Sequence, residues 1–341
     1  LNKNKKDITA AKSIALNRRI LGANAKYRDA VQVINELQLE LASRASLEKL
    51  QKIIVPHKYK VIRSSQKVAT AFILASDFHT DEIVDPASIN YLNEFNLSIA
   101  EKRAEIFFTH SLKLLEMART QSKIDTVVFA ALGDFISGWI HPALIESSLM
   151  TPPEALIKVY ELLLGGLRFL VDKGRMKELI FIGCCGNHGR ITKKKRYKGL
   201  VKKSYEWLIY EFLARKLANT KYANVIKFKL PTGYFNWLDV YDMKIRFHHG
   251  DNVQYRGGVG GIHIPLRKAI AQWNKATHAN LDILGHWHTR EASQDYVING
   301  SLIGYNEYAE SIKADFRKPQ QAFFVLHPKH GKTNECPIVL E

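Results

Sequence analysis

The stretch FILASDFHTDEIV, residues 72–84, decides how the chain is read. An apolar run from Phe72 to Ala75 stops abruptly, and Asp77 and His79 follow, two apart, with more acids behind them. A buried strand that ends on a carboxylate and an imidazole directs polar side chains at one place. A bare Asp-x-His is weak on its own, so the other strand ends decide what it means.

Short apolar runs recur down the chain: TAFILAS (70–76), TVVFAAL (126–132), ELIFIGCC (178–185), KIRFHH (244–249), DILG (282–285), YVING (296–300) and AFFVLH (322–327) predict strands. Residues 87–120 and 152–173 carry helical patterns between them. Such alternation predicts a layered α/β fold with largely buried strands. Residues 1–56 read differently. Val31, Ile34, Leu37, Leu41, Leu47 and Leu50 form one apolar stripe on a charged helix, and Pro56 ends it. We expect an N-terminal helical extension, 1–56, packed on a main domain, 57–341. An oligomerisation or nucleic-acid arm is the alternative.

The strand ends form an ordered series. After Asp77-x-His79 come GDFISG with Asp134, GNHGR with Asn187 and His188, HHGD with His248 and His249, and GHWH with His286 and His288. In open α/β sheets, sites form beyond the carboxyl ends of strands, and glycine there permits tight turns. Each piece alone is cheap: a lone histidine is more often a satisfied core or surface residue, and Gly-Asp is usually a turn. All five in order at strand ends is not cheap. Asp, Asn and His offer oxygen and imidazole nitrogen without thiolate, which suits Mn, Fe or Zn better than soft metals.

These blocks resemble the calcineurin-like metallophosphoesterase superfamily, over residues 70–303. The resemblance implies a four-layer αββα sandwich and two divalent metal ions, with manganese expected first and iron, zinc, nickel, magnesium or cobalt as alternatives. It implies that Asp77, His79 and His288 hold one metal, that Asn187, His249 and His286 hold the other, and that Asp134 bridges. His188 would face the scissile phosphate as an acid or electrostatic catalyst. His248 competes with His249; Gly250 directly after His249 favours the latter. The third block departs from the usual G-N-H-[ED], because Gly189 stands where the acid belongs and Arg190 follows. Arg190 is a candidate for bidentate phosphate binding. GDFISGWIHPAL and GNHGR also resemble phage and prophage members related to SbcD-type nucleases.

The superfamily's chemistry does not fix the substrate. Net charge of +17 favours polyanions. Residues 189–207 concentrate Lys193, Lys194, Lys195, Arg196, Lys198, Lys202 and Lys203 with no acid before Glu206. Interleaved Tyr197, Tyr205 and Trp207 can stack on bases, though Tyr205 and Trp207 read better as core. A glycine-rich loop, 254–268, offers Arg256, His263 and Arg267 near the metals, or is only a surface loop; His141 is a weaker candidate. The expectation is a nuclease acting on DNA or RNA through a metal-activated water. A phosphomonoesterase on nucleotides or phosphoproteins is the alternative, and a nucleic-acid-binding scaffold with a decayed site is the non-enzyme alternative. No run approaches the roughly 18–20 apolar residues that cross a bilayer, and no apolar signal core follows the basic N-terminus. Three cysteines make no disulfide framework. A cytoplasmic protein without membrane attachment is expected, in a phage-infected or lysogenic host.

Overall fold

The computed structural model describes residues 68–255 and 260–341. The expected helical extension over 1–56 and Arg256 lie outside the described residues. In chain order the elements are β1 (Val68–Ala75), α1 (Leu97–Arg119), β2 (Lys123–Ala131), α2 (Pro142–Ser147), α3 (Pro152–Gly174), β3 (Glu178–Gly183), α4 (Tyr205–Ala218), β4 (Ile226–Lys229), β5 (Asn236–Val240) and β6 (Met243–His248). They continue with α5 (His263–Asn274), β7 (Leu281–Leu284), β8 (Glu291–Ala292), β9 (Tyr296–Ile298), α6 (Glu307–Ser311), β10 (Gln320–His327) and β11 (Gly331–Val339).

Two sheets result, ordered β11-β10-β1-β2-β3-β4 and β5-β6-β7-β9-β8. Strands β1 to β4 run parallel, as do β6, β7 and β9, while β10 and β11 are antiparallel additions. The period of two along each strand sets the layers. Phe72, Leu74, Val128, Ala130 and Leu132 of the first sheet share one buried cluster with Ile245, Phe247, Leu281 and Ile283 of the second. The opposite faces meet helices. Phe107 and Phe108 on α1 lie 6.2 and 6.0 Å from the Phe129 ring, and Tyr210 on α4 lies 5.4 Å from Phe181. Across the molecule, Leu266 and Ile270 of α5 pack with Leu284, Tyr296 and Ile298. Helix, sheet, sheet, helix is the αββα sandwich expected from the sequence. Among the described residues no helix is long and apolar enough to cross a membrane.

Two expected elements begin late. The helical pattern over 87–120 becomes helix only at Leu97, because Asn96 takes an extended backbone and its side chain caps Ile99 N at 3.1 Å. The loop expected over 254–268 is α5 from His263 onward.

The second sheet encloses one costly pair. Arg246 and Asp282 are register partners on β6 and β7, both buried, and the guanidinium donates twice to the carboxylate at 2.6 and 3.0 Å. Phe235, Trp237 and Trp273 surround it with ring centroids 5.2 to 5.4 Å from its carbon. Burial would raise the Asp282 carboxyl, but His248 and Arg246 outweigh it and hold the group below its ordinary range. A depressed carboxylate stabilises the fold above its unfolded pKa, and that contribution disappears as pH falls through the folded value. Asp282→Asn should therefore destabilise the chain by about 3–5 kcal/mol at neutral pH, leaving Arg246 uncompensated. It should also flatten the acid limb below about pH 4, as followed by denaturant melts across pH.

Candidate metal centre

The strand ends meet at one edge, where backbone bonds tie neighbouring loops together within each sheet. Asp77 N donates to Gly133 O at 2.9 Å, His79 N to Asp134 O at 3.2 Å and Gly285 N to His249 O at 2.8 Å. Gly133 and Gly186 let two loops touch: a Cβ on Gly186 would lie 2.1 Å from Asp134 Oδ1, and one on Gly133 would lie 2.3 Å from Gly186 N. Five of the side chains gathered here sit on left-handed backbone: Asp77, His79, Asp134, His286 and His288, with φ between 48 and 71°. That conformation is uncommon outside glycine and collects at functional sites.

Two groups of potential ligands form. Asp77, His79 and His288 place donor atoms within 4.8 Å of one another, and so do Asp134, His249 and His286. The groups abut, because the Asp77 carboxylate of the first accepts from the backbone N of His286, a member of the second, at 2.9 Å. Asn187 Oδ1 joins the second group 3.1 Å from His249 Nε2. His248 turns away, its Nε2 lying 3.4 Å from Asp282 Oδ1.

The hydrogen bonds decide which imidazole nitrogens face the centre. His249 Nδ1 lies 2.8 Å from Leu132 O, and a carbonyl can only accept, so Nδ1 carries the proton. His249 Nε2 then faces two acceptors, Asp134 Oδ2 at 2.8 Å and Asn187 Oδ1 at 3.1 Å. Lone pairs on all three atoms need a positive charge between them. Burial would lower this imidazole's pKa, yet Asp134 foremost drives it up to about 10; a proton there supplies the charge a cation would. His79 behaves alike. Ser137 Oγ donates to Glu82 Oε2 at 2.6 Å, so it accepts from His79 Nδ1 at 2.8 Å. His79 Nε2 is left buried and unpartnered, as is Asp77 Oδ1. Burial and then His249 push His286 down to about 4, keeping it neutral and able to ligate. The orphaned His79 Nε2 and Asp77 Oδ1, a neutral His286, and a His249 whose extra proton a cation would replace fit two divalent cations.

His188 lies outside both groups and beside them. Its ring meets the His79 ring edge-on at 4.8 Å, its backbone N donates to Asp134 Oδ1 at 2.8 Å, and its Nδ1 donates to Ser137 O at 2.9 Å. Ser137 thus fixes His79 with its hydroxyl and His188 with its carbonyl. Asp81, fully buried, clamps this turn by accepting from Ser137 N at 2.6 Å and Gly138 N at 3.2 Å. Glu82 is held on its far side by Asn306 Nδ2 at 3.0 Å. Ser137, Asp81, Glu82 and Asn306 were not foreseen. The two acids stand in the opening stretch, but nothing in a sequence says that their partners are backbone amides.

The remaining candidates scatter. Arg190 donates to three backbone carbonyls, Asn187 O at 2.5 Å, Thr192 O at 3.1 Å and Lys193 O at 3.4 Å. Lys195 pairs with Asp251 and donates to Asn252 Oδ1 at 2.5 Å, tying the basic loop to the turn after His249. Lys193, Lys194, Arg196, Lys198, Lys202 and Lys203 are exposed. Tyr205 and Trp207 are half-buried on α4, whereas Tyr197 is open to solvent. His141 is exposed at the start of α2; burial, then Arg190 and His188, lower its pKa, which places it by that pair. His263 is engaged by Glu291 at 2.7 Å and by the Tyr296 hydroxyl, and Arg267 by Asp295 at 3.2 Å.

No family model and no curated protein matches the chain. Among solved structures it is similar to Vps29 complexed with zinc from Entamoeba histolytica, at 11% identity and TM-score 0.32 over 79% of this chain and 99% of that one. A predicted phosphoesterase from Streptococcus pneumoniae TIGR4 matches at 13% and 0.29, over 79% and 98%. A hypothetical protein from Pyrococcus horikoshii OT3 matches at 12% and 0.37, over 80% and 89%. At such identities and scores the chemistry rests on this chain's own residues.

Cation titration of the metal-free chain, followed by calorimetry with Mn²⁺, should saturate at two equivalents. His79→Ala and His286→Ala should each leave one. A single equivalent in the unaltered chain would contradict the paired groups.

Proposed function

We propose that the protein is a two-metal phosphoesterase of the calcineurin-like kind, cleaving phosphodiesters of DNA or RNA in the cytoplasm. The observation that carries the phosphoesterase reading is the pair of ligand groups, with His79 Nε2 and Asp77 Oδ1 buried and unpartnered in one of them and His188 beside them. Asp77, His79 and His288 would hold one cation, Asn187, His249 and His286 the other, with Asp134 between; bound there, the cations would orient the phosphate and activate water. His188 keeps one proton on Nδ1, locked on Ser137 O, so a second proton, held on Nε2 when the ring is an imidazolium, is the one it would give to the departing ester oxygen. Arg190 shapes the Asn187 loop through its carbonyls and adds fixed positive charge at the mouth. Free cysteines at 184, 185 and 336 suit a reducing compartment.

The finer reading, nucleic acid, is supported by the exposed basic stretch beside the catalytic loop. Between Thr192 and Ser204 the chain has no acid, and Tyr197 stands open among its cations. The resemblance of residues 133–144 and 186–190 to phage-type members points the same way. A backbone of phosphates would follow the lysines, with bases free to stack on Tyr197.

Two experiments test this. With Mn²⁺, bis(4-nitrophenyl) phosphate should be hydrolysed, and His188→Ala should slow turnover by about 10²-fold or more while cation stoichiometry stays at two. Loss of a cation instead would make His188 a ligand. Separately, replacing Lys193, Lys194, Arg196 and Lys198 by Gln should weaken single-stranded DNA binding at every sequence. It should flatten the salt slope by about 0.7 per lost contact, with hydrolysis of the small diester unchanged. Unaltered DNA binding would favour a phosphomonoesterase.

A further inference from the structure

One buried acid is outside the ligand groups yet bonded to the two loops that carry Asp134 and Asn187. Glu206, near the start of α4, has no exposed surface. Its Oε1 accepts from Phe135 N at 2.8 Å and its Oε2 from Gly186 N at 2.6 Å. Phe135 directly follows Asp134, and Gly186 directly precedes Asn187. Both amides lie beyond the ends of β2 and β3, where the sheet ladder has stopped. Without the carboxylate they would be buried donors with nothing to bond, which is strongly disfavoured.

The glutamate arrives there because the start of α4 is fastened to the same loop. Ser204 caps the helix by accepting from Glu206 N at 3.2 Å, Ser204 bridges Arg190 as an isolated strand pair, and Tyr205 N donates to Gly189 O at 2.8 Å. A Cβ built on Gly189 would lie 2.8 Å from Glu206 Cγ and 3.0 Å from its Cδ. The glutamate side chain therefore fills the space that a side chain at 189 would need.

We propose that Glu206 is the positioning residue that sets the separation of Asp134 and Asn187, and that it supplies from α4 the carboxylate which Gly189 lacks. The inference rests on the two-cation reading above. Glu206 touches neither phosphate nor cation; it acts through the amides on either side of two ligands. Burial, then the neighbouring Asp134, push its carboxyl up to about 8, and the two amides pull it back toward the ionised form. Two cations alongside would pull the same way.

The swap is geometrically open. A glutamate at 189 would carry its carboxyl two bonds past Cβ, close to where Glu206 Cδ now sits, and Gly189 is not on left-handed backbone. Three full-length variants, Glu206→Gln, Glu206→Ala and the double Gly189→Glu/Glu206→Ala, should be titrated with Co²⁺ by calorimetry and by its visible spectrum. Melting should be recorded on each. Glutamine keeps the shape but turns an N–H toward one of the two amides, so Co²⁺ affinity should fall 10- to 100-fold, as when support for a ligand is lost. The double variant should recover to within about threefold of the unaltered chain, on the same scale. Phe129→Leu, a core change away from the loops, should lower the melting temperature without moving the Co²⁺ isotherm. A Glu206→Gln isotherm equal to the unaltered one overturns the proposal, as does a double variant that binds no better than Glu206→Ala. If Glu206→Ala does not fold, comparison of the double variant with the unaltered chain decides. An unaltered chain that takes up no Co²⁺ would instead remove the metal reading itself.

Discussion

Everything at this edge of the sandwich follows from where three imidazole protons are parked. His79, His188 and His249 each donate Nδ1–H to a fixed protein acceptor: a serine hydroxyl, the same serine's carbonyl and a strand-end carbonyl. His249 Nε2 is left facing a carboxylate and an amide oxygen, and His79 Nε2 is left buried without a partner. Bare lone pairs cannot be held against one another without a cation, so the protein has built a demand for positive charge into its fold. The demand is visible in His249, driven to about 10 where burial alone would send it the other way.

The supports explain how so many donors keep their places. Ser137 handles one ligand and the proposed acid, and Asp81 and Glu82 hold Ser137. Asn299 belongs to the same class of support. It donates to Ser76 Oγ at 2.8 Å and Gln321 Oε1 at 2.6 Å and accepts from Ala322 N at 2.8 Å, fixing the strand end before Asp77. Carboxylates that bond backbone amides set loop positions without contacting the chemistry. The arrangement fits a site in which precision comes from the second layer of contacts.

What could be read from the sequence follows burial. Strands β1, β2, β3, β6, β7, β9 and β10 announce themselves by clusters of apolar residues, most of their positions being buried. β4, β5, β8 and β11 do not. They are short or half-exposed, and β11 contains Pro337 on the sheet edge. The helix beginning at His263 was hidden by the glycines before it. Ligands were legible because strand ends gather them in order. Glu206 was not, because its partners are amides of residues whose identity is irrelevant to it, and its only trace in the sequence is an acid closing a basic run.

The left-handed backbone under Asp77, His79, Asp134, His286 and His288 has a consequence for how such a centre can vary. Beyond glycine, the residues that tolerate this conformation best are asparagine, aspartate and histidine. Those are also the residues that give oxygen or imidazole donors to hard and borderline cations. At these positions the turn therefore acts as a filter on the amino-acid alphabet before any metal arrives. Side chains that could redirect the site toward soft metals, cysteine and methionine, are disfavoured by the shape of the main chain alone. The donor set and the loop geometry are one choice, and a lineage that changed the metal class would first have to rebuild the turns.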